Sequence, residues 1–163
     1  MNGRIGTAAI VAIAAAFLVS AVPAQAGWLM SHGSAAMVAY SGDWDNFLIY
    51  GTGFSGDVRG GKTTAVTIPL PAHIDPTLSL KKIKVAFFTA NNVRIVEVAV
   101  WDGNSKIRTK TVNWTGAKTV ISKLYFPKPY YVKNGLALTI KFTADNTGDR
   151  FIQLKSVGAL LGP

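Results

Sequence analysis

Residues 80–103 read LKKIKVAFFTANNVRIVEVAVWDG, the longest stretch of this chain in which apolar residues recur at every second position. This spacing is typical of β-strands, whose successive side chains point to opposite faces. Each half has three apolar residues on one face: Ile83, Val85 and Phe87 in the first, and Val96, Val98 and Val100 in the second. Asn91-Asn92 predicts a turn between the halves, and Asp102-Gly103 predicts a second turn into a third strand. We therefore expect a long β-hairpin that continues as an antiparallel meander.

The first 26 residues have the pattern of a secretory signal peptide. Arg4 precedes an apolar run from Ala8 to Val22, and Pro23 and Ala24-Gln25-Ala26 follow it. The run is shorter than the roughly 20 residues that span a bilayer, so we predict cleavage after Ala26 and not a retained membrane anchor. Residues 27–163 then form one domain, exported to the periplasm or the cell exterior, with no transmembrane segment after cleavage.

The composition limits both the sources of stability and the partners. The chain contains no cysteine, so packing and not disulfides must hold the exported fold together. The formal net charge is +9, and only one of the positive charges, that of Arg4, lies in the predicted signal peptide. A basic surface favours anionic partners such as lipid head groups, acidic polysaccharide or nucleic acid, although this charge also suits simple solubility.

The rest of the chain contains further short segments with strand character and no convincing helix. They lie at 27–40, 62–70, 107–112, 120–126, 135–143 and 151–161, with a turn-rich segment at 41–47. About eight strands rich in Val, Ile, Thr and aromatic residues predict an all-β fold, an antiparallel β-sandwich of jelly-roll or Greek-key type. A closed barrel is the alternative architecture.

A glycine-rich segment between Gly51 and Gly61 interrupts this pattern. Five glycines lie in it, and such a density predicts bends, bulges or close backbone approach in place of a regular strand. A phosphate-binding loop is the functional alternative. The segment matches no Walker or dinucleotide pattern, so we favour the structural interpretation.

Several short motifs occur in an order that resembles a family of small, functionally uncharacterised bacterial β-sandwich proteins. They are Trp28 with His32-Gly33, Gly51-Thr52-Gly53-Phe54, Ile68-Pro69, Val98-x-Val100-Trp101-Asp102-Gly103, Pro127 with Pro129, and Gly135. The family has tyrosine at the position of Trp101 and tryptophan at that of Tyr50, and both differences are conservative. The resemblance implies a β-sandwich and implies no activity and no catalytic residues.

Two groups of residues are candidates for ligand binding. In the first, Asp43 and Asp45 flank Trp44, and residues two apart in an extended segment share a face, so their carboxylates would suit a cation or a pair of sugar hydroxyls. A solvated turn is the alternative. The second group is Trp101 and the stripe of cations Lys106, Arg108 and Lys110, which alternates along the predicted third strand. Aromatic rings stack on sugars and cations bind anionic groups, although aromatic residues more often belong to a core.

Metal and catalytic chemistry have weaker support. Asp145 and Asp149 resemble part of a calcium loop but lack the downstream glutamate, and the two histidines, His32 and His73, have no partner at ligand spacing. Glu97 is the single glutamate, and we expect it to point outward among basic neighbours such as Arg94. No serine-nucleophile motif is present. We therefore expect no metal, no cofactor and no enzymatic activity.

Three functional hypotheses remain. The first is a non-catalytic exported module that binds a glycan or another anionic polymer of the cell envelope. The second is a structural subunit that assembles through exposed edge strands. The third is a hydrolase that pairs Glu97 with an aspartate. Nucleic acid is not an expected partner, because export separates the chain from it.

Overall fold

A computed structural model describes residues 26–51, 53–71, 75–123 and 125–163. The predicted signal peptide therefore lies almost entirely outside the described residues, as do His73, Thr52 of the G-T-G-F motif and residue 124 of the predicted strand 120–126. Within the described ranges the chain forms eleven β-strands and two single-turn 3₁₀ helices, at Gly33–Ala35 and Ser41–Asp43. No helix there is long and apolar enough to cross a bilayer.

The strands form two antiparallel sheets that pack face to face. The six-stranded sheet contains β1 (Gly27–His32), β3 (Trp44–Tyr50), β4 (Gly53–Val58), β6 (Ser79–Thr89), β9 (Lys118–Lys123) and β11 (Phe151–Gly162). Its order is β3-β4-β11-β6-β9, and β1 also pairs with β11. The five-stranded sheet has the order β2-β5-β10-β7-β8 and contains β2 (Met37–Val38), β5 (Thr63–Pro69), β7 (Val93–Asp102), β8 (Ser105–Trp114) and β10 (Leu136–Ala144). The predicted β-sandwich is confirmed.

The core lies between the sheets and follows the period-two patterns of the strands. In β6 the buried side chains include Ile83, Val85 and Phe87, and in β10 the residues that alternate inward are Leu136, Leu138, Ile140 and Phe142. These faces were predicted correctly, since one buried face and one exposed face require this alternation. An aromatic cluster closes one end of the core, where the Trp44 ring packs edge-on against Phe54 and Phe142.

The predicted hairpin over residues 80–103 is wrong. β6 pairs with β11 and β9, whereas β7 pairs with β10 and β8, so the two halves lie in opposite sheets. The link between them is an arch across the core. The connection at residues 90–92 is held by the ends of other strands: Ala90 N–H donates to Phe151 O, and Asn92 O accepts from Asp145 N–H. The second predicted turn, at Asp102-Gly103, is correct, because β7 and β8 pair across it.

A β-bulge also changes the predicted faces of β7. The register with β8 shifts between Ile95 and Glu97, so Ile95 joins Val98 and Val100 in the core and Val96 is only half-buried. The extra residue of a bulge reverses the alternation on one side of it. The sequence pattern therefore predicted the inward face of the second half of the strand but not of its start.

Two further predictions about the N-terminal half are wrong, the second of them only in part. The predicted edge strand at 27–40 is two strands, and β1 lies in one sheet while β2 lies in the other. The glycine-rich segment contains a regular strand, β4, whose side chains are mostly buried. The close backbone approach predicted for this segment is confirmed, since a Cβ on Gly56 would lie 2.8 Å from Asn46 O.

Candidate functional site

The predicted acidic site at Asp43 and Asp45 is an ion-pair cluster and not an open pair of carboxylates. Asp45 accepts hydrogen bonds from Arg59 Nε at 3.2 Å and from Arg150 Nη2 at 3.1 Å. Asp43 ends a 3₁₀ turn, and its backbone oxygen accepts from Arg59 N–H. The two arginines satisfy Asp45, so this position does not offer a vacant carboxylate to a cation. Of the two interpretations, the geometry favours the turn.

Trp44, the third member of that group, is a core residue. Its side chain is 3 % exposed and lies among Phe47, Phe54 and Phe142. Its predicted role as a ligand contact is wrong, because no ring face is open to a ligand. The ring instead fixes the β3–β4 hairpin onto the core.

The predicted cation stripe on β8 is divided between two surfaces. Its register with β7 shifts between Val100 and Trp101, so Lys106 is opposite Trp101 while Arg108 is opposite the inward-facing Val100. Lys106 accordingly lies on the outer face of the sheet, and Arg108 and Lys110 turn toward the open edge between the two sheets. The three cations therefore do not form one stripe, which corrects the prediction from simple alternation.

Arg108 and Lys110 form part of a basic cleft at the edge where β8 faces β9. The Arg108 guanidinium lies 5.9 Å from the centre of the Phe126 ring, and Lys110 Nζ donates to Ser122 Oγ on β9. A cleft of about 130 Å³ opens beside them, and its lining also includes Thr109, Lys123 and Tyr125. The hydrogen bond and the cation–π contact hold both cations in place, so their main role is to close the edge of the sandwich.

The outer face of the five-stranded sheet places Trp101 and Lys106 together. Lys106 Nζ lies 5.2 Å from the centre of the Trp101 ring. Such a contact at an exposed site contributes only about 0.5–1 kcal/mol, so a ligand can displace it. The Trp101 indole Nε1 is buried and has no acceptor among the described residues. A buried donor without an acceptor is unusual, and because the atom is buried it does not present this N–H to solvent.

Next to Trp101, small side chains line up across four adjacent strands. We call them the small-residue row; its members are Thr67 on β5, Thr139 on β10, Ala99 on β7 and Thr109 on β8, each opposite the next in register. The Thr67 and Thr139 hydroxyls lie 2.8 Å apart and share one hydrogen bond. Four strands at a spacing of about 4.8 Å make this row roughly 15 Å long.

Larger side chains border the small-residue row on both sides. One border is formed by Trp101 and Lys106, and the other by Lys141 and Glu97, which are opposite one another on β10 and β7. Glu97 thus faces outward beside a cation, as the sequence predicted. The residue directly opposite it is Lys141 and not Arg94, which the sequence suggested. The surface combines an aromatic ring, hydroxyl groups and charges of both signs on a rigid sheet.

Sequence reasoning did not single out the threonines of this surface. The signal was present, because Thr63, Ala65 and Thr67 alternate with apolar residues in β5 and Ala137, Thr139 and Lys141 do so in β10. Alternation shows that such residues point outward but not which ones become neighbours. That requires the register of four strands that are far apart in the sequence.

The remaining predicted residues have structural roles in the described part of the chain. Asp145 pairs with Arg94 at 3.4 Å, and Asp149 accepts from Phe151 N–H in a local turn. His32 caps the first 3₁₀ helix, where its Nδ1 accepts from Ser34 N–H. No group of three potential metal ligands occurs among the residues that the structure describes. The turn interpretation of Asp145 and Asp149 is favoured over a calcium loop.

Asp102 is a structural residue that the sequence analysis treated only as part of a turn. Its carboxylate is 2 % exposed and accepts from Tyr130 Oη, Lys133 N–H and Asn134 N–H at 3.0, 2.9 and 2.6 Å. Burial raises the pKa of the Tyr130 hydroxyl, and its hydrogen bond to Asp102 and the negative charge there raise this pKa further. We call these three hydrogen bonds the Asp102 clamp. They hold residues 130–134, which precede β10, against the end of β7, next to Trp101.

The comparisons with known proteins show similarity in structure only. No protein-family model and no curated protein matches the chain in sequence. The xylan-binding module CBM15 is similar in structure, with 10 % identity, coverage of 83 % of this chain and 98 % of that one, and a TM-score of 0.52. A family 29 carbohydrate-binding module has 14 % identity, coverage of 83 % and 90 %, and a TM-score of 0.47.

A third similar structure is a family 61 carbohydrate-binding module in complex with β-1,4-galactotriose, with 13 % identity, coverage of 81 % and 86 %, and a TM-score of 0.40. The likeness to the xylan-binding module supports the β-sandwich architecture, and the two lower scores add nothing to that conclusion. At such low identity, the shared property is the fold and not the ligand.

Proposed function

We propose that this protein is a non-catalytic glycan-binding module that holds an oligosaccharide against the outer face of its five-stranded sheet. The observation that carries the proposal is the position of Trp101 and Lys106 beside the small-residue row. The predicted signal peptide supports a location of this activity in the cell envelope or outside the cell. The fold likeness to a xylan-binding module is compatible with this proposal.

The chemistry of this surface suits a sugar chain. A pyranose ring has an apolar face that packs on an indole, while its hydroxyls need donors and acceptors. Each threonine hydroxyl offers one donor and two acceptor lone pairs, so the Thr67–Thr139 pair keeps unused capacity after its mutual hydrogen bond. Lys106 and Lys141 add donors at the two borders, and they would favour a glycan that contains acidic sugars.

A glycan array tests the proposal at the level of ligand class. We expect selective binding to one class of oligosaccharide that persists when ionic strength rises from low to moderate, because stacking and hydrogen bonds are not screened by salt. Binding to every anionic glycan at low salt that disappears at moderate salt would instead mark a merely basic surface. The array must contain neutral and acidic oligosaccharides, including xylan fragments.

Titration calorimetry with the selected oligosaccharide tests the site. Trp101→Ala should weaken binding about tenfold or more, because it removes the stacking surface. Trp101→Tyr should retain most of the affinity. The matched control is Trp28→Ala, which removes a tryptophan that is 38 % exposed on the six-stranded sheet and should leave the affinity unchanged. Loss of binding in the Trp28 variant but not in the Trp101 variants would contradict the proposed site.

A further inference from the structure

Strand β3 is an edge strand whose exposed side chains are polar at its start, at Asp45 and Asn46, and apolar after that. It pairs with β4 on one side, and no strand pairs with its other side among the residues that the structure describes. Phe47, Leu48, Ile49 and Tyr50 are all exposed, and Leu48 has 64 % of its surface in solvent. An edge that combines unpaired backbone groups with exposed apolar side chains is a template for a further strand.

Other edges carry features that oppose pairing. β8 presents Lys106, Arg108 and Lys110, β9 has a lysine at each end, and β2 is only two residues long. Charged side chains and short strands are the usual protections of natural sheet edges. β3 is seven residues long and its one charged residue, Asp45, lies at its start, so Asn46–Tyr50 carries no charge and no proline. β1 also has a free edge within the described residues. A substitution at Leu48 distinguishes pairing through β3 from pairing through β1.

The charge distribution indicates what can approach β3. Residues 40–58 contain three aspartates and no lysine or arginine, although the chain as a whole has a net charge of +9. Two copies of a basic protein repel one another wherever their cations meet. Contact through β8 or β9 would bring such cations together, whereas the two arginines beside β3, Arg59 and Arg150, are ion-paired with Asp45. Among these edges, β3 is therefore the one that best accommodates a second copy of this chain.

We propose that two copies of the protein associate by antiparallel pairing of their β3 strands about a two-fold axis at Leu48. In this register Leu48 is opposite its own copy, and Phe47 is opposite Ile49 of the partner subunit. The six-stranded sheets then continue into one another with their outer faces on the same side. The two Asp45 residues lie at opposite ends of the paired strands, so these acidic side chains do not meet. A symmetric pairing of this kind closes at the dimer.

Sedimentation velocity over a range of concentrations tests this dimer with protein purified after expression of the complete 163-residue chain. The unaltered protein should pass from monomer to dimer as its concentration rises, and Leu48→Lys should weaken association at least tenfold. Ile121→Lys is the matched control, since Ile121 is 56 % exposed at the opposite edge of the same sheet, and it should leave the dimer intact. Both replaced side chains are exposed, so circular dichroism should show an unchanged fold.

Three outcomes would overturn the inference. They are an unaltered protein that stays monomeric up to its solubility limit, a dimer that survives Leu48→Lys, and larger assemblies that are lost in both variants. The last outcome would indicate head-to-tail pairing of β3 with β9. Dimerisation and glycan binding use different sheets, so either proposal can fail without the other.

Cysteine cross-linking gives an independent test, because the chain has no cysteine of its own. Opposed residues in antiparallel strands have Cα atoms about 4.5–5.5 Å apart, within the range that a disulfide spans. Leu48→Cys should therefore form a covalent dimer under mild oxidation, and Ile121→Cys should not. Equal cross-linking of the two variants would indicate random collision and contradict the pairing.

Discussion

At the residue scale, the motifs that resemble a bacterial family are occupied by residues with structural roles. Gly53, in the G-T-G-F motif, has φ of 142°, and a Cβ there would lie 2.3 Å from Leu154 O on β11. Asp102 in the motif that ends in Trp101-Asp102-Gly103 is the buried clamp for the segment at 130–134. Both motifs therefore specify packing of this sandwich, whereas Trp101 is the motif residue that lies on the proposed ligand surface.

The two glycines of the G-T-G-F motif should respond differently to alanine. Gly53→Ala should lower the free energy of unfolding by about 3 kcal/mol or more, because it adds a methyl group against backbone and strains a positive φ. Gly51→Ala is the control, since nothing lies within 4 Å of its added Cβ, and it should change stability by less than about 0.5 kcal/mol. Urea denaturation measures both, and similar losses in the two variants would contradict this packing.

The clamp at Asp102 predicts a particular pH dependence. The pKa of Tyr130 is higher in the folded protein than in the unfolded chain, so its contribution to stability is complete below about pH 10 and is lost as pH rises through the folded value. Tyr130→Phe should lower stability at pH 7 by about 1–3 kcal/mol, and this difference from the unaltered protein should shrink at alkaline pH. Urea denaturation from pH 7 to 11 tests it, and a difference that stays constant with pH would be inconsistent with the clamp.

Individual side chains show where sequence reasoning stops. Trp44 and Trp101 both lie near turns and both were candidate ligand contacts, yet one is buried among phenylalanines and the other lies beside a lysine on the surface. Nothing in the local sequence separates them, because burial depends on Phe54 and Phe142 and therefore on strands that are distant in the chain. The sequence predicted that Trp101 was a candidate, and only the fold shows that its neighbours include the small-residue row.

At the element scale, the period-two pattern predicted strands and their inward faces better than their partners. In β10 and in the interior of β6, the side chains that were predicted to point inward are the buried ones. The connection at residues 90–92 is short enough for either a hairpin or an arch, and Asn91-Asn92 suits both. The choice of an arch depends on β10 and β11, which lie 40 or more residues away and supply the partners of β7 and β6.

Bulges were the second feature that local patterns did not reveal. The shift at Ile95 and Glu97 brings Ile95 into the core, and the shift beside Trp101 separates Lys106 from Arg108 and Lys110. Each bulge inserts one residue and so reverses the alternation of faces beyond it. A charge pattern along a strand therefore predicts a common surface only where the register is regular.

At the scale of the whole molecule, the fold class followed from composition and spacing, because short strands with turn residues between them have few architectures available. The location of the candidate site could not be predicted from composition and spacing. The small-residue row joins positions 67, 99, 109 and 139, and it exists only because β5, β10, β7 and β8 are neighbours in one sheet. The prediction that the protein is not an enzyme stays a prediction.

The central claim is that a glycan lies across the outer face of the five-stranded sheet, and an NMR titration tests it most directly. An oligosaccharide selected on the array is added to ¹⁵N-labelled protein, and shifts of the backbone amides and the Trp101 indole Nε1–H are followed. We predict that the largest shifts cluster at Trp101, Ala99, Thr109 and Thr139. Shifts that cluster on the six-stranded sheet around Trp28 and Leu160, with none at Trp101, would contradict the claim.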